Sequence, residues 1–129
     1  MKRVRCVDIV KERDRDLLKA EKEVIRELGE YAPYVNRSYI IMQITKKPAP
    51  RYYITSEWAL RLASILDKGE KISGSTDHRT AMIEEVYTKY KALCRSRPDI
   101  NKRDAMELVI NSPASSFFVS IGTIQKVLK

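Results

Sequence analysis

Apolar residues recur along this chain at spacings of three, four and seven, and short proline-bearing stretches interrupt the series. Between Val7 and Gly29 the apolar positions Val10, Leu17, Leu18, Val24, Ile25 and Leu28 fit a helix with one buried stripe. Gly29 suits its C-terminus, and Pro33 ends any continuation. A second series, Ile83, Val86, Tyr87, Tyr90, Leu93 and Cys94, predicts a helix over about Arg79–Arg95, with Pro98 beyond it. Asn36 and Asn101 open the next two helices, because an Asn side chain accepts an otherwise orphaned backbone N–H. Asp104 in the first turn of the latter suits the helix dipole. These helices end near Thr45 and Asn111.

The segments Lys46–Ile54 and Asn111–Val119 break the helical period. Prolines push the preceding residues toward extended backbone, and the aromatic and β-branched residues that follow favour a short strand. Thr55 and Ser120 then cap a third pair of helices, Ser56 to about Asp67 and Ile121 to Leu128. In the first of these, Ala59, Leu62, Ala63 and Leu66 form the buried set.

These elements repeat. A shift of 65 places lays Pro33–Leu62 on Pro98–Val127 without a gap. Pro33/Pro98, Asn36/Asn101, Pro48/Pro113 and Ala49/Ala114 are identical. Conservative pairs fall on apolar and capping positions, among them Ile41/Met106, Ile44/Val109, Tyr52/Phe117, Tyr53/Phe118 and Thr55/Ser120. Matches on caps, prolines and apolar sites are matches on what specifies a backbone. The expected fold is therefore mainly α: two pseudo-symmetric, trihelical, helix-turn-helix-like repeats. A two-fold relation between them predicts that Tyr52–Ile54 and Phe117–Val119 pair as a short central β-ribbon. Residues 1–67 form the first unit, 68–77 a polar Gly/Ser-bearing linker, and 78–129 the second. The two units pack as one compact domain, since about 65 residues alone bury only a modest core. Each connection has nine residues, where a helix-turn-helix uses a turn of three or four.

The segment Pro48-Ala49-Pro50-Arg51-Tyr52-Tyr53-Ile54-Thr55, followed by a helix, resembles one in small basic proteins of bacterial mobile elements and phages. The resemblance implies a bacterial or phage origin and no particular chemistry.

Charge narrows the function. The chain of 129 residues carries a formal net charge of +8, which favours polyanionic partners such as nucleic acid. Lys46, Lys47 and Arg51 stand beside Tyr52 and Tyr53, a combination suited to phosphate contact and base stacking. The second repeat keeps an aromatic pair there but replaces the cations with Asn111, Ser112 and Ser116, so the tyrosines read as packing and the cations as functional. Arg95, Arg97, Lys102 and Arg103 cluster around the Pro98 corner. Docking in the manner of a helix-turn-helix places Arg61, on the third helix, toward the groove. Lys2, Arg3, Arg5, Lys11, Arg13 and Arg15 alternate with Asp8, Glu12, Asp14 and Asp16, the pattern of a solvated, salt-bridged helix face. Trp58, the single tryptophan, reads as a core plug between the units.

Other function classes find no signature. No glycine-rich phosphate loop is present, and Cys6, Cys94 and His78 lack metal-site spacing, so no metal, cofactor or catalysis is expected. No apolar run spans a bilayer, and charges interrupt the N-terminus too soon for a signal-peptide core, which points to the cytoplasm and away from the membrane. The reading is a DNA-binding protein, with a protein-interaction or homo-oligomeric assembly module as the alternative.

Overall fold

The computed structural model describes residues 6–72 and 76–128, with side chains from residue 8 onward. It is mainly helical. Among the described residues there are six α-helices: α1 Cys6–Leu28, α2 Arg37–Thr45, α3 Ser56–Asp67, α4 Asp77–Ser96, α5 Lys102–Ile110 and α6 Ile121–Val127. A 3-10 stretch, Gly29–Tyr34, follows α1. Residues 73–75 of the expected linker, and Lys2, Arg3 and Arg5 of the N-terminal cluster, lie outside the described residues. No described helix is long and apolar enough to cross a membrane.

Capping side chains set the helix starts. Asn36 accepts from the Tyr39 amide at 2.9 Å and Asn101 from that of Asp104 at 2.8 Å. Thr55 and Ser120 accept from Trp58 and Thr123, both at 3.2 Å. The end of α3 is equally determined. Gly69, at φ +77°, lets its own N–H reach Leu66 O at 3.0 Å while the Glu70 N–H reaches Ile65 O at 3.2 Å. Those paired bonds close the last turn in a left-handed cap.

The buried stripes differ in phase from the simple reading. On α1, Ile9, Leu17, Ala20 and Val24 are buried, whereas Val10, Leu18 and Ile25 are each about 40% exposed. The core face is centred on the narrower Leu17–Ala20–Val24 line, in which the small Ala20 lets neighbouring elements approach. On α4 the buried set is Met82, Ile83, Val86 and Tyr90, with Tyr87, Leu93 and Cys94 only partly covered.

Helix packing crosses the expected unit boundary. α1 packs on α2, and α4 on α5, as neighbours in sequence. Among the described residues, the backbone of α3 does not closely approach α1 or α2. It packs on α4 and α5, and α6 packs on α1 and α2. Among the described residues, the third helix of each half therefore packs on the other half.

Among the described residues no strand forms, so the expected ribbon is corrected to one antiparallel bridge, Ala49 with Ala114. It lies three residues earlier than expected. Ala49 N donates to Ala114 O at 3.1 Å, and Ala114 N to Ala49 O at 2.9 Å. Pro48, Pro50 and Pro113 flank the bridge and have no N–H to extend a ladder. The aromatic pairs stack instead: Tyr52 on Phe118 with ring centroids 6.3 Å apart, and Tyr53 on Phe117 at 5.9 Å. Phe118 sits at φ +54°. A bulky side chain in that region costs about 1–3 kcal/mol and persists only where surrounding contacts hold it.

Replacing Gly69 with Ala should lower stability by about 1–2 kcal/mol, because the cap needs a left-handed residue. Nothing lies within 4 Å of an added Cβ, so the loss is conformational rather than steric. Urea unfolding with an unchanged m-value checks it.

Candidate nucleic-acid interface

The basic residues singled out in the sequence fall into two physical groups. The first sits on the α2–α3 connection, and α1 holds it. Lys47 Nζ lies 2.6 Å from Glu27 and 3.5 Å from Glu23. Arg51 pairs with Glu12 at 3.3 Å and also donates to the backbone oxygens of Tyr52 (3.0 Å) and Ile54 (3.5 Å). The Tyr53 hydroxyl donates to Asp16 at 2.6 Å. Glu12, Asp16, Glu23 and Glu27 are four, seven and four residues apart, so they line one face of α1. That acidic stripe receives the basic connection along its length.

Protonation follows from these contacts. The hydrogen bond to Glu27 is the largest influence holding the Lys47 ammonium above its ordinary pKa. Burial first, and then the bond to Asp16, push the Tyr53 phenol well above its usual value. Tyr52, only 1% exposed, is a core residue, so its ring is not available to stack on a base. Among the described residues its hydroxyl makes no hydrogen bond of normal geometry, while burial and the nearby Glu85 carboxylate raise its pKa strongly. Lys89 lies 4.9 Å from the centre of that ring and donates to Pro113 O at 2.8 Å. In the second connection the cation thus comes from the helix and reaches the turn.

The second group is unencumbered. Arg95, Arg97, Lys102 and Arg103 are all exposed, and none takes an ion pair among the described residues. They stand on a corner that caps and turn hydrogen bonds define. Arg95 is in the last turn of α4, and Arg97 ends that helix with its N–H on Leu93 O at 2.9 Å. The Ile100 N–H closes the turn on Arg97 O at 3.1 Å, and Asn101 caps α5 just before Lys102 and Arg103. Beneath them, Tyr90, Ala105 and Met106 are buried. Two carboxylates share the corner, Asp99 and Asp104, and Asp104 accepts from the Asn101 side-chain amide at 2.9 Å. The crossed α3 brings Asp67 against α4, where it accepts from the Tyr87 hydroxyl at 2.6 Å and pairs with Lys91 at 3.0 Å. Those bonds, Tyr87 first, hold the Asp67 carboxyl below its ordinary range, with a contribution from the Lys102 charge.

Lys46 is exposed and makes no ion pair among the described residues. Arg61 is exposed and lies over the Trp58 ring, 5.3 Å from its centre. Trp58 itself is 39% exposed, so it is a surface aromatic and not the expected core plug. It follows closely on the Thr55 cap, and the inward positions of α3 belong to Ala59, Leu62 and Ala63. Arg37, aligned with Lys102 in the 65-place shift, donates to Leu128 O at the end of α6. Cys94 is a free, half-buried thiol.

Comparison with protein-family models, curated proteins and solved structures finds no match to this chain. The site is therefore argued from its own geometry. Removing the Tyr53 hydroxyl (Tyr53→Phe) should cost about 1–2 kcal/mol, because the Asp16 carboxylate loses a charge-assisted hydrogen bond. A phenol whose pKa is raised on folding stabilises the native state below the unfolded value, near 10. That contribution is lost as pH rises from there through the folded value. Burial places Tyr90 at about 12, and Tyr53 shifts in the same direction. Denaturant midpoints should therefore fall as pH climbs above about 10, and fall less in Tyr53→Phe.

Proposed function

We infer that the protein binds nucleic acid, most directly duplex DNA, through the α4–α5 corner. The observation that carries this reading is the contrast between the two cation groups. Lys47 and Arg51 are occupied by carboxylates, whereas Arg95, Arg97, Lys102 and Arg103 are exposed and, among the described residues, unpaired on a capped, packed corner. Cations of that kind reach phosphate oxygens without first giving up an intramolecular partner, and each phosphate neutralised releases counterions. Lys46 and Arg61 are further exposed contacts in this reading. The net charge of +8 supports it by favouring encounter with a polyanion. An origin in a bacterial mobile element or phage belongs to the same proposal and rests on the Pro48–Thr55 segment alone.

We also infer that the scaffold is a pseudo-two-fold pair of repeats. The 65-place shift relates Ala49 to Ala114, and the amide of each donates to the carbonyl of the other. It also exchanges the Tyr52–Phe118 stack with the Tyr53–Phe117 stack. Packing of α3 on α4 and α5 is mirrored by packing of α6 on α1 and α2. On that scaffold Arg37 and Lys102 occupy equivalent places, one spent on a helix end and the other open to solvent.

An assembly module is a second reading, favoured by the exposed apolar residues of the α1–α2 corner. Tyr31 is 65% and Tyr34 85% exposed, with Tyr39 and Met42 on α2 above 40%. Light scattering separates the readings: a strict monomer across the accessible concentration range removes self-assembly.

Duplex binding should weaken steeply with salt. Replacing Arg95, Arg97, Lys102 and Arg103 with Gln should make the log–log salt slope shallower by about 0.9 for each phosphate that is no longer neutralised. Lys47→Gln should lower thermal stability and leave that slope unchanged. Mobility-shift titrations at several salt concentrations check both. The reading fails if the four-fold variant binds as the parent does, or if no shift occurs at low salt.

A further inference from the structure

Away from the α4–α5 corner, a half-open groove of about 570 Å³ lies between the N-terminal part of α1 and the starts of α3, α4 and α6. That volume is within the range of small-molecule sites, roughly 300–1,000 Å³. Tyr53, Trp58 and Phe118 provide aromatic walls, and the buried Phe117, Ile9 and Met82 form apolar floor. Arg13, His78 and Arg79 also line it, and no described lining residue is a carboxylate. Arg13 leans on the neighbouring Asp14 at 3.1 Å, whereas Arg79 is exposed and takes no ion pair among the described residues.

Two features separate this groove from an ordinary surface dimple. Trp58 lies on its wall at 39% exposure although it begins a helix whose inward positions are otherwise filled. Phe118 is held in the groove at φ +54°, its N–H tied to Ser116 Oγ at 3.1 Å. Backbone outliers of this kind in bulky residues concentrate at binding sites.

We propose that this groove binds a nucleotide, a planar base carrying phosphate, with the base against the exposed aromatic wall and the phosphate at Arg79. Flat aromatic walls suit a planar ring, and guanidinium groups suit a phosphate by paired hydrogen bonds. The ligand is either a free mononucleotide or an unstacked nucleotide within a single strand. The inference does not depend on duplex binding at the α4–α5 corner, since none of that corner's residues lines the groove.

Trp58 is the chain's single tryptophan, so its emission reports on this groove. The full chain is titrated with adenosine monophosphate, a short single-stranded oligonucleotide, adenosine, inorganic phosphate and dodecanoate, following Trp58 emission and heat. The proposal expects saturable quenching by the mononucleotide, the oligonucleotide or both, which identifies the source. Adenosine and inorganic phosphate should bind at least about tenfold more weakly, since each offers half of the recognised group. Arg79→Gln should weaken binding about tenfold, as removal of one charge-assisted hydrogen bond does. Lys22→Gln removes an equal charge at an exposed position outside the groove lining and should leave binding unchanged. The proposal is overturned if neither nucleotide form binds, if dodecanoate binds and the nucleotides do not, or if Arg79→Gln and Lys22→Gln have equal effects.

Discussion

The fold depends on an exchange of helices between the two halves of the chain. α3 buries Ala59, Leu62 and Ala63 against α4 and α5, and α6 buries Ile124 against α1 and α2. Each half's apolar faces are covered in part by the last helix of the other. This explains the nine-residue connections. A tight turn returns a helix to its own neighbours, whereas nine extended residues can reach up to roughly 30 Å, enough to deliver the helix to the opposite half. The two connections meet at Ala49 and Ala114, where small side chains let the backbones approach and the prolines confine pairing to a single bridge.

The same exchange decides which charges are free. The first connection is clamped by the acidic face of α1, with Lys47, Arg51 and Tyr53 each meeting a carboxylate. This clamp positions the stacked aromatic pairs and takes those cations away from solvent partners. At the α4–α5 corner Asp99 and Asp104 stand beside the turn but take no ion pair with its cations among the described residues, so the cations remain available. In the proposed reading, binding uses the charges left over after the scaffold has satisfied itself.

Helix limits are largely legible in the sequence, because Asn36, Thr55, Asn101 and Ser120 are strong caps and each is used as one. The burial of Tyr52 is legible from its exchange for Phe117. The α1 stripe reads with too many members, since Val10, Leu18 and Ile25 match the helical period as well as Leu17 does and only the packed neighbours distinguish them. The clamp escapes a sequence reading for a related reason. Glu12 and Asp16 read with the neighbouring cations as a solvated face, although the regular series from Glu12 to Glu27 is a signal that a basic segment lies against it. Only the length of the connection hints at the crossing of α3. Trp58 defies composition, since tryptophan is usually covered and this one lies on a groove wall.

The most direct test of the interlocked fold is native-state hydrogen exchange at the Ala49 and Ala114 amides. If the halves hold one another, both amides exchange only by global unfolding, with protection equal to that of the slowest core amides of α1 and α4. Fast exchange at the bridge while α1 and α4 stay protected would contradict the account, because the halves would then be stable without their junction.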